Sequence, residues 1–109
     1  MSSRYQPEMP FSEAKARAAT LPAPRVTEQQ IESKIEHVEY INSLHHRSLT
    51  ICILHMQNNF CVVGKAAPVY AENFDPEIGK RFAYEDAFRQ LWPLEGYLLA
   101  EKRAEEMTL

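Results

Sequence analysis

The sequence predicts an α+β fold: an N-terminal helix, a small antiparallel β-sheet built on a hairpin at 49–65, and a proline-broken C-terminal helical segment. Three observations carry this. Thr27 and Gln30 make a helix-start pattern, two β-branched runs flank Gln57-Asn58-Asn59, and Asp75-Pro76 opens a long amphipathic stretch interrupted at Pro93. A chain of 109 residues is sized for one domain, and an apolar share of 45% can supply its core.

Residues 1–25 are expected to be a flexible or docking arm ahead of a single domain at 26–109. Pro7, Pro10, Pro22 and Pro24 surround an alanine-rich piece, Phe11 to Ala19, in which Ser12 is a candidate cap. A helix this short is marginal in water, so the arm is expected to order only by docking.

The domain opens at Val26. The Thr27 hydroxyl and the Gln30 amide can satisfy two backbone donors reciprocally, with Val26 and Ile31 as the hydrophobic staple. Ile31, Ile35 and Val38 follow at helical spacing. Val38 to Asn42 is also a candidate third strand, because a lone hairpin is rarely stable.

Leu49 to Met56 and Phe60 to Lys65 form the hairpin. Asn tolerates the left-handed conformation, so Asn58-Asn59 is read as a two-residue primed turn. That register pairs Gln57 with Phe60, Met56 with Cys61, Leu54 with Val63 and Cys52 with Lys65. Cys52 and Cys61 then share a face four strand positions apart, roughly 13 Å at strand rise. A disulfide needs Cα atoms within about 7 Å, so both thiols are expected to be free. One face would carry Cys52, Leu54, Met56, Cys61 and Val63; the other would carry Ile51, Ile53, Phe60 and Val62. A hairpin apolar on both sides must be covered on both sides. The helices cover one, and the arm or another subunit the other, which predicts a homo-oligomer.

In the C-terminal half, Asp75 is an N-cap candidate with Pro76 at the first helical position and Glu77 at the positive end of the dipole. Ile78, Phe82, Phe88, Leu91 and Trp92 can form one apolar stripe. Pro93 ends or kinks this helix, after which Leu94, Tyr97 and Leu98 recur at helical spacing. Isolated glycines suggest a bulge or close backbone approach at Gly64, and close packing at Gly79.

Several function classes are disfavoured. Net charge is −3 and the basic residues are scattered, so nucleic acid is an improbable partner. No unbroken apolar run exceeds four residues, and no apolar core follows a basic N-terminus, which excludes a membrane span and a secretory signal. A cytoplasmic protein with two reduced cysteines is the simplest reading.

The block from Val26 to Leu99 resembles the phage gene-product 49 / gene-product 66 family of small tailed-phage and prophage proteins. The resemblance rests chiefly on Glu72-Asn73-Phe74-Asp75-Pro76-Glu77-Ile78-Gly79 and Trp92-Pro93-Leu94-Glu95-Gly96-Tyr97-Leu98. The helix start at Val26, Leu49 to Cys52 and Phe60 to Gly64 add to it. The family often shows Asn-Gly where this chain has Asn58-Asn59. The resemblance implies a phage accessory protein of the host bacterial cytoplasm, with no catalytic residues and no cofactor to transfer. It would act by binding, as an inhibitor of a bacterial defence system or host factor, holding a protein partner or a small nucleotide. The alternatives are a small metal-dependent hydrolase using Glu72, Asp75, Glu77 and Glu95, or a minor structural or assembly protein.

Aromatic residues offer the one binding-surface signal. Tyr84, Phe88, Trp92 and Tyr97 lie near the proline break with Glu95 beside it, and Tyr70 and Phe74 precede the helix, although a core absorbs most such residues. His37, His45, His46 and His55 read as polar side chains rather than metal ligands, since adjacent residues diverge. Cys52 and Cys61 read as buried structural thiols with no histidine fixed beside either.

Overall fold

The capping box at Thr27 is complete: its Oγ1 accepts from the Gln30 N–H at 3.2 Å, and Gln30 Oε1 accepts from the Thr27 N–H at 3.0 Å. The computed structural model describes residues 6–108. In chain order these form α1 (Phe11–Ala19), α2 (Glu28–Glu32), β1 (Ile35–Asn42), β2 (Thr50–Met56), β3 (Cys61–Ala66), a 3₁₀ turn (Ala71–Asn73), α3 (Pro76–Arg89) and α4 (Leu91–Thr108). The strands make one antiparallel sheet in the order β1-β2-β3, and α3 lies across β2 and β3.

The arm carries α1, whose residues are all exposed. Pro10, not Ser12, precedes its first turn, with no side-chain cap. The described residues of the arm leave the second face of the sheet uncovered, with Ile41 and Val63 exposed there.

Helix α2 is shorter than the Ile31, Ile35, Val38 spacing predicts. It ends at Glu32, and Ile35 and Val38 are strand residues paired with Met56 and Leu54. Ile31 is fully buried while Ile35 and Val38 pack against the same core, so period and burial agree although the backbone does not. Pairing with β2 outweighs a helical spacing of only three residues. The candidate third strand is thus longer than expected.

The hairpin register differs by one residue from the predicted one. Its loop holds three residues: the Met56 N–H donates to Phe60 O at 2.8 Å and the Asn59 N–H to Met56 O at 3.0 Å. Asn59 alone takes the left-handed conformation, at φ 72°. This is a three-residue turn with a left-handed closing residue, in place of the two-residue primed turn. The Asn58 side chain accepts from the Phe60 N–H at 3.0 Å and supports it.

Shifting the register by one turns β3 over. Cys52 pairs with Gly64, Leu54 with Val62, and His55 with Cys61. Thr50, Cys52, Leu54, Met56, Val62 and Gly64 are buried beneath the helices. Ile51, Ile53 and His55 face the opposite way with Cys61, Val63 and Lys65, and β1 adds Ile41, Glu39 and His37 to that open face. Cys61 and Val63 therefore leave the face assigned to them, and Val62 enters the core. The thiols are free: they point to opposite sides of the sheet, and Cys61 lies opposite His55, three strand positions from Cys52.

Small residues bring α3 onto the sheet. Its buried positions are Gly79, Ala83, Ala87 and Phe88, whereas Ile78 and Phe82 are exposed. A Cβ at Gly64 would lie 2.3 Å from Ala83 O and 2.3 Å from Ala87 N, so helix and strand backbones touch there. A Cβ at Gly79 would lie 2.7 Å from Thr50 Oγ1. Asp75 caps the helix, its Oδ1 accepting from the N–H groups of Glu77 and Ile78 at 2.9 and 3.3 Å.

The helical break falls at Gln90 rather than at Pro93. Pro93 lies in the first turn of α4, where a helix lacks partners for its N–H groups. Its ring excludes the carbonyl four residues back, that of Arg89, which is the last residue of α3.

Candidate binding groove

A groove of about 530 Å³ opens between the hairpin tip, the junction of α2 with β1, and the N-terminal half of α4. Buried Met56 and Leu91 form its floor. Phe60, Leu94, Tyr97 and Leu98 form its walls, and each is between 43% and 67% exposed. Lys34, Gln57, Asn58 and Glu95 supply its polar edge.

Each wall is held by a specific contact. The Gln57 N–H donates to Lys34 O at 2.9 Å, and its side-chain amide donates to Ser33 O at 2.8 Å. These bonds fix the hairpin tip to the end of α2. Lys34 then reaches the other way, its Nζ donating to Glu95 Oε2 on α4. The Glu95 side chain is only 13% exposed, whereas that of Lys34 is half exposed. The pair ties α4 to the rest of the body and closes one end of the groove.

Of the seven residues predicted for binding, the groove takes Glu95 and Tyr97. Glu95 is a long-range ion-pair partner rather than a first-turn cap. Tyr84, Phe88 and Trp92 instead make a run across the break: Tyr84 stacks on Phe88 at 5.7 Å, and Trp92 meets Phe88 edge-on at 6.0 Å. Phe88 belongs to the core, and Trp92 keeps 40% of its surface exposed. Phe74 packs beside Gly79, and Tyr70 is exposed ahead of the 3₁₀ turn. Sequence reasoning missed Lys34, Met56, Phe60, Leu94 and Leu98 as groove residues. Leu94 and Leu98 carried a usable signal, lying on one helical face beside Tyr97.

The carboxylates offered for hydrolysis do not converge. Asp75 is occupied as a helix cap, Glu77 lies 3.8 Å from Lys80 at the surface, and Glu95 is paired with Lys34. Among the described residues, no three His, Cys, Asp or Glu side chains are placed to hold a metal ion. On the open face, His55 Nε2 lies 3.0 Å from Glu39 Oε1, and the rings of His37 and His55 are 5.8 Å apart. Cys61 stands directly opposite His55, so one cysteine does have a histidine beside it, and it is exposed. Cys52 is the buried one, and burial pushes its thiol up to about 11.

A family model described as the phage protein (N4 Gp49/phage Sf6 gene 66) family matches residues 26–103. The chain belongs to this family. The matched block runs from the residue before the capping box into the second half of α4, so every groove residue lies inside it and α1 lies outside. No curated protein and no solved structure matches the chain. Among the described residues, no helix is long and apolar enough to cross a membrane.

Proposed function

We propose that this phage protein acts in the host bacterial cytoplasm by occupancy, seating an apolar segment of a host or defence-system protein in the groove beside α4 and thereby inhibiting that protein. The observation that carries this reading is the wall of Phe60, Leu94, Tyr97 and Leu98, exposed side chains converging over a buried floor. Apolar surface gathered in a concavity gains free energy when a complementary side chain displaces its water. A protein segment suits this lining better than a nucleotide. The lining includes one cation, Lys34, and Glu95 already neutralises it, which leaves a phosphate little to bind.

The test uses the full chain. Tagged wild type and Leu98→Asp would be recovered from infected cells, and the proteins retained by each identified by mass spectrometry. The expected result is a host protein held by wild type, lost with Leu98→Asp and kept by Ile78→Asp, a substitution at an exposed position away from the groove. Calorimetry with the purified partner should reproduce that ranking. A partner bound equally well by Leu98→Asp and Tyr97→Ala would overturn the assignment of the groove.

A further inference from the structure

The open face of the sheet lies on the opposite side from the core, and nothing in the proposed function uses it. Its cross-strand rows are Ile41-Ile51-Lys65, Glu39-Ile53-Val63 and His37-His55-Cys61. Ile53 is the centre, and Ile41, Ile51 and Val63 adjoin it as one aliphatic patch. Ile41 and Val63 are 42% and 52% exposed, and with Ile51 and Ile53 beside them they form a contiguous apolar patch rather than isolated surface residues.

We infer that this face is a self-association surface on which two copies of the chain pack sheet against sheet. The charge placement selects a second copy as the occupant. Glu39 lies on the β1 edge and Lys65 on the β3 edge of the same face, with the aliphatic patch between them. A twofold axis parallel to β2 lays the β3 edge of each copy over the β1 edge of the other. That operation stacks Ile53 on Ile53 and sets Lys65 of each copy over Ile41 of its mate, one row from the mate's Glu39, a diagonal neighbour that the long lysine side chain reaches while Glu39 keeps His55 Nε2 at 3.0 Å on its own sheet. A patch with its acid and base on opposite edges is complementary to itself, which is what an isologous interface requires. Sheets packed in this way keep their strands within about 30° of each other.

The size of the face sets the strength. Three strands about 4.8 Å apart and seven residues at about 3.3 Å each give a face of roughly 14 by 23 Å. That is about 320 Å² on each partner, under half of the about 800 Å² of a standard interface, so the dimer belongs to the weak, transient class.

Sedimentation equilibrium of the full chain from about 1 to about 200 µM would test this against the weak-interface range. Wild type should move from 12.6 kDa toward twice that mass as concentration rises. Ile53→Lys should stay monomeric throughout with an unchanged far-UV spectrum; if that variant fails to fold, Val63→Lys at a half-exposed position serves instead. Lys65→Glu and Glu39→Lys should each weaken dimerisation about 3- to 10-fold, and the double exchange should restore it, as expected for one or two exposed charge pairs. Leu98→Asp should dimerise like wild type, which separates this face from the groove. Wild type monomeric across the whole range would overturn the inference. So would dimers that survive Ile53→Lys or are lost with Leu98→Asp.

Discussion

Gly64 sits 2.3 Å, measured from where its Cβ would be, from the backbone nitrogen of Ala87. At that crossing strand β3 and helix α3 meet backbone to backbone, and Ala83 and Ala87 keep the helix low enough to cover Cys52 and Leu54. Gly64→Ala should therefore force the helix off the sheet. We expect a loss of about 3 kcal/mol or more, as for severe overpacking, read from urea unfolding. Gly96 is the internal control, because a Cβ there meets nothing within 4 Å and the residue lies inside α4. Gly96→Ala should stabilise by about 0.5–1 kcal/mol.

The Asp75 cap serves two N–H groups at once. Asp75→Ala should cost about 1 kcal/mol, and Asp75→Asn or Asp75→Ser should recover most of it. Thermal melts of the set would check the order. A hydrolytic role for the same carboxylate would instead make Asp75→Asn as damaging as Asp75→Ala in an activity assay.

Asn59 holds φ at 72°, where a side chain carries a steric cost that glycine lacks. Asn59→Gly should raise stability by about 0.5 kcal/mol, whereas Asn59→Val should lower it by more than 1 kcal/mol in the same unfolding assay, roughly the left-handed penalty for a β-branched residue.

The two thiols should behave oppositely. Iodoacetamide on the native protein should modify exposed Cys61 alone, giving one adduct by mass, with Cys52 reacting only after denaturation. Cys52 also fixes a pH dependence. Its folded value of about 11 exceeds its ordinary value of 9.0, so above pH 9 the unfolded chain releases a proton that the folded chain keeps. Its contribution to stability is complete below about pH 9 and is lost as pH rises toward about 11. Tyr40 and Tyr84, raised chiefly by burial, act with the same sign. Cys52→Ala should flatten the fall measured between pH 9 and pH 11; an unchanged slope would assign it to the tyrosines.

Local chemistry made the helix starts readable. The Thr27 box and the Asp75-Pro76 start each involve residues within four positions, and both form as the sequence indicates. The hairpin was readable as a hairpin, but its register was not. Asn58-Asn59 permits a two-residue turn or a three-residue turn, and the choice is settled by β3 presenting Gly64 to α3. Bulk likewise points to Ile78 and Phe82 on α3, whereas close approach to the sheet needs Gly79, Ala83 and Ala87. At the groove, Lys34 and Glu95 are 61 positions apart, and no local pattern can announce their meeting. Glu95 is legible because it follows Pro93 at the start of a helical stretch, and Tyr97 because it is an aromatic residue near the same break.

Gln57 joins the hairpin tip to Ser33 and Lys34, and Lys34 holds Glu95, so the cleft is enclosed by pieces of chain that meet only after the whole body has assembled. A segment seated there as proposed would recognise the native molecule and ignore the unfolded one. Its arrival therefore raises the melting temperature, by the equivalent of about 2.7 kcal/mol at a hundredfold excess over Kd. A thermal-shift screen of host peptides therefore tests whether the cleft takes one.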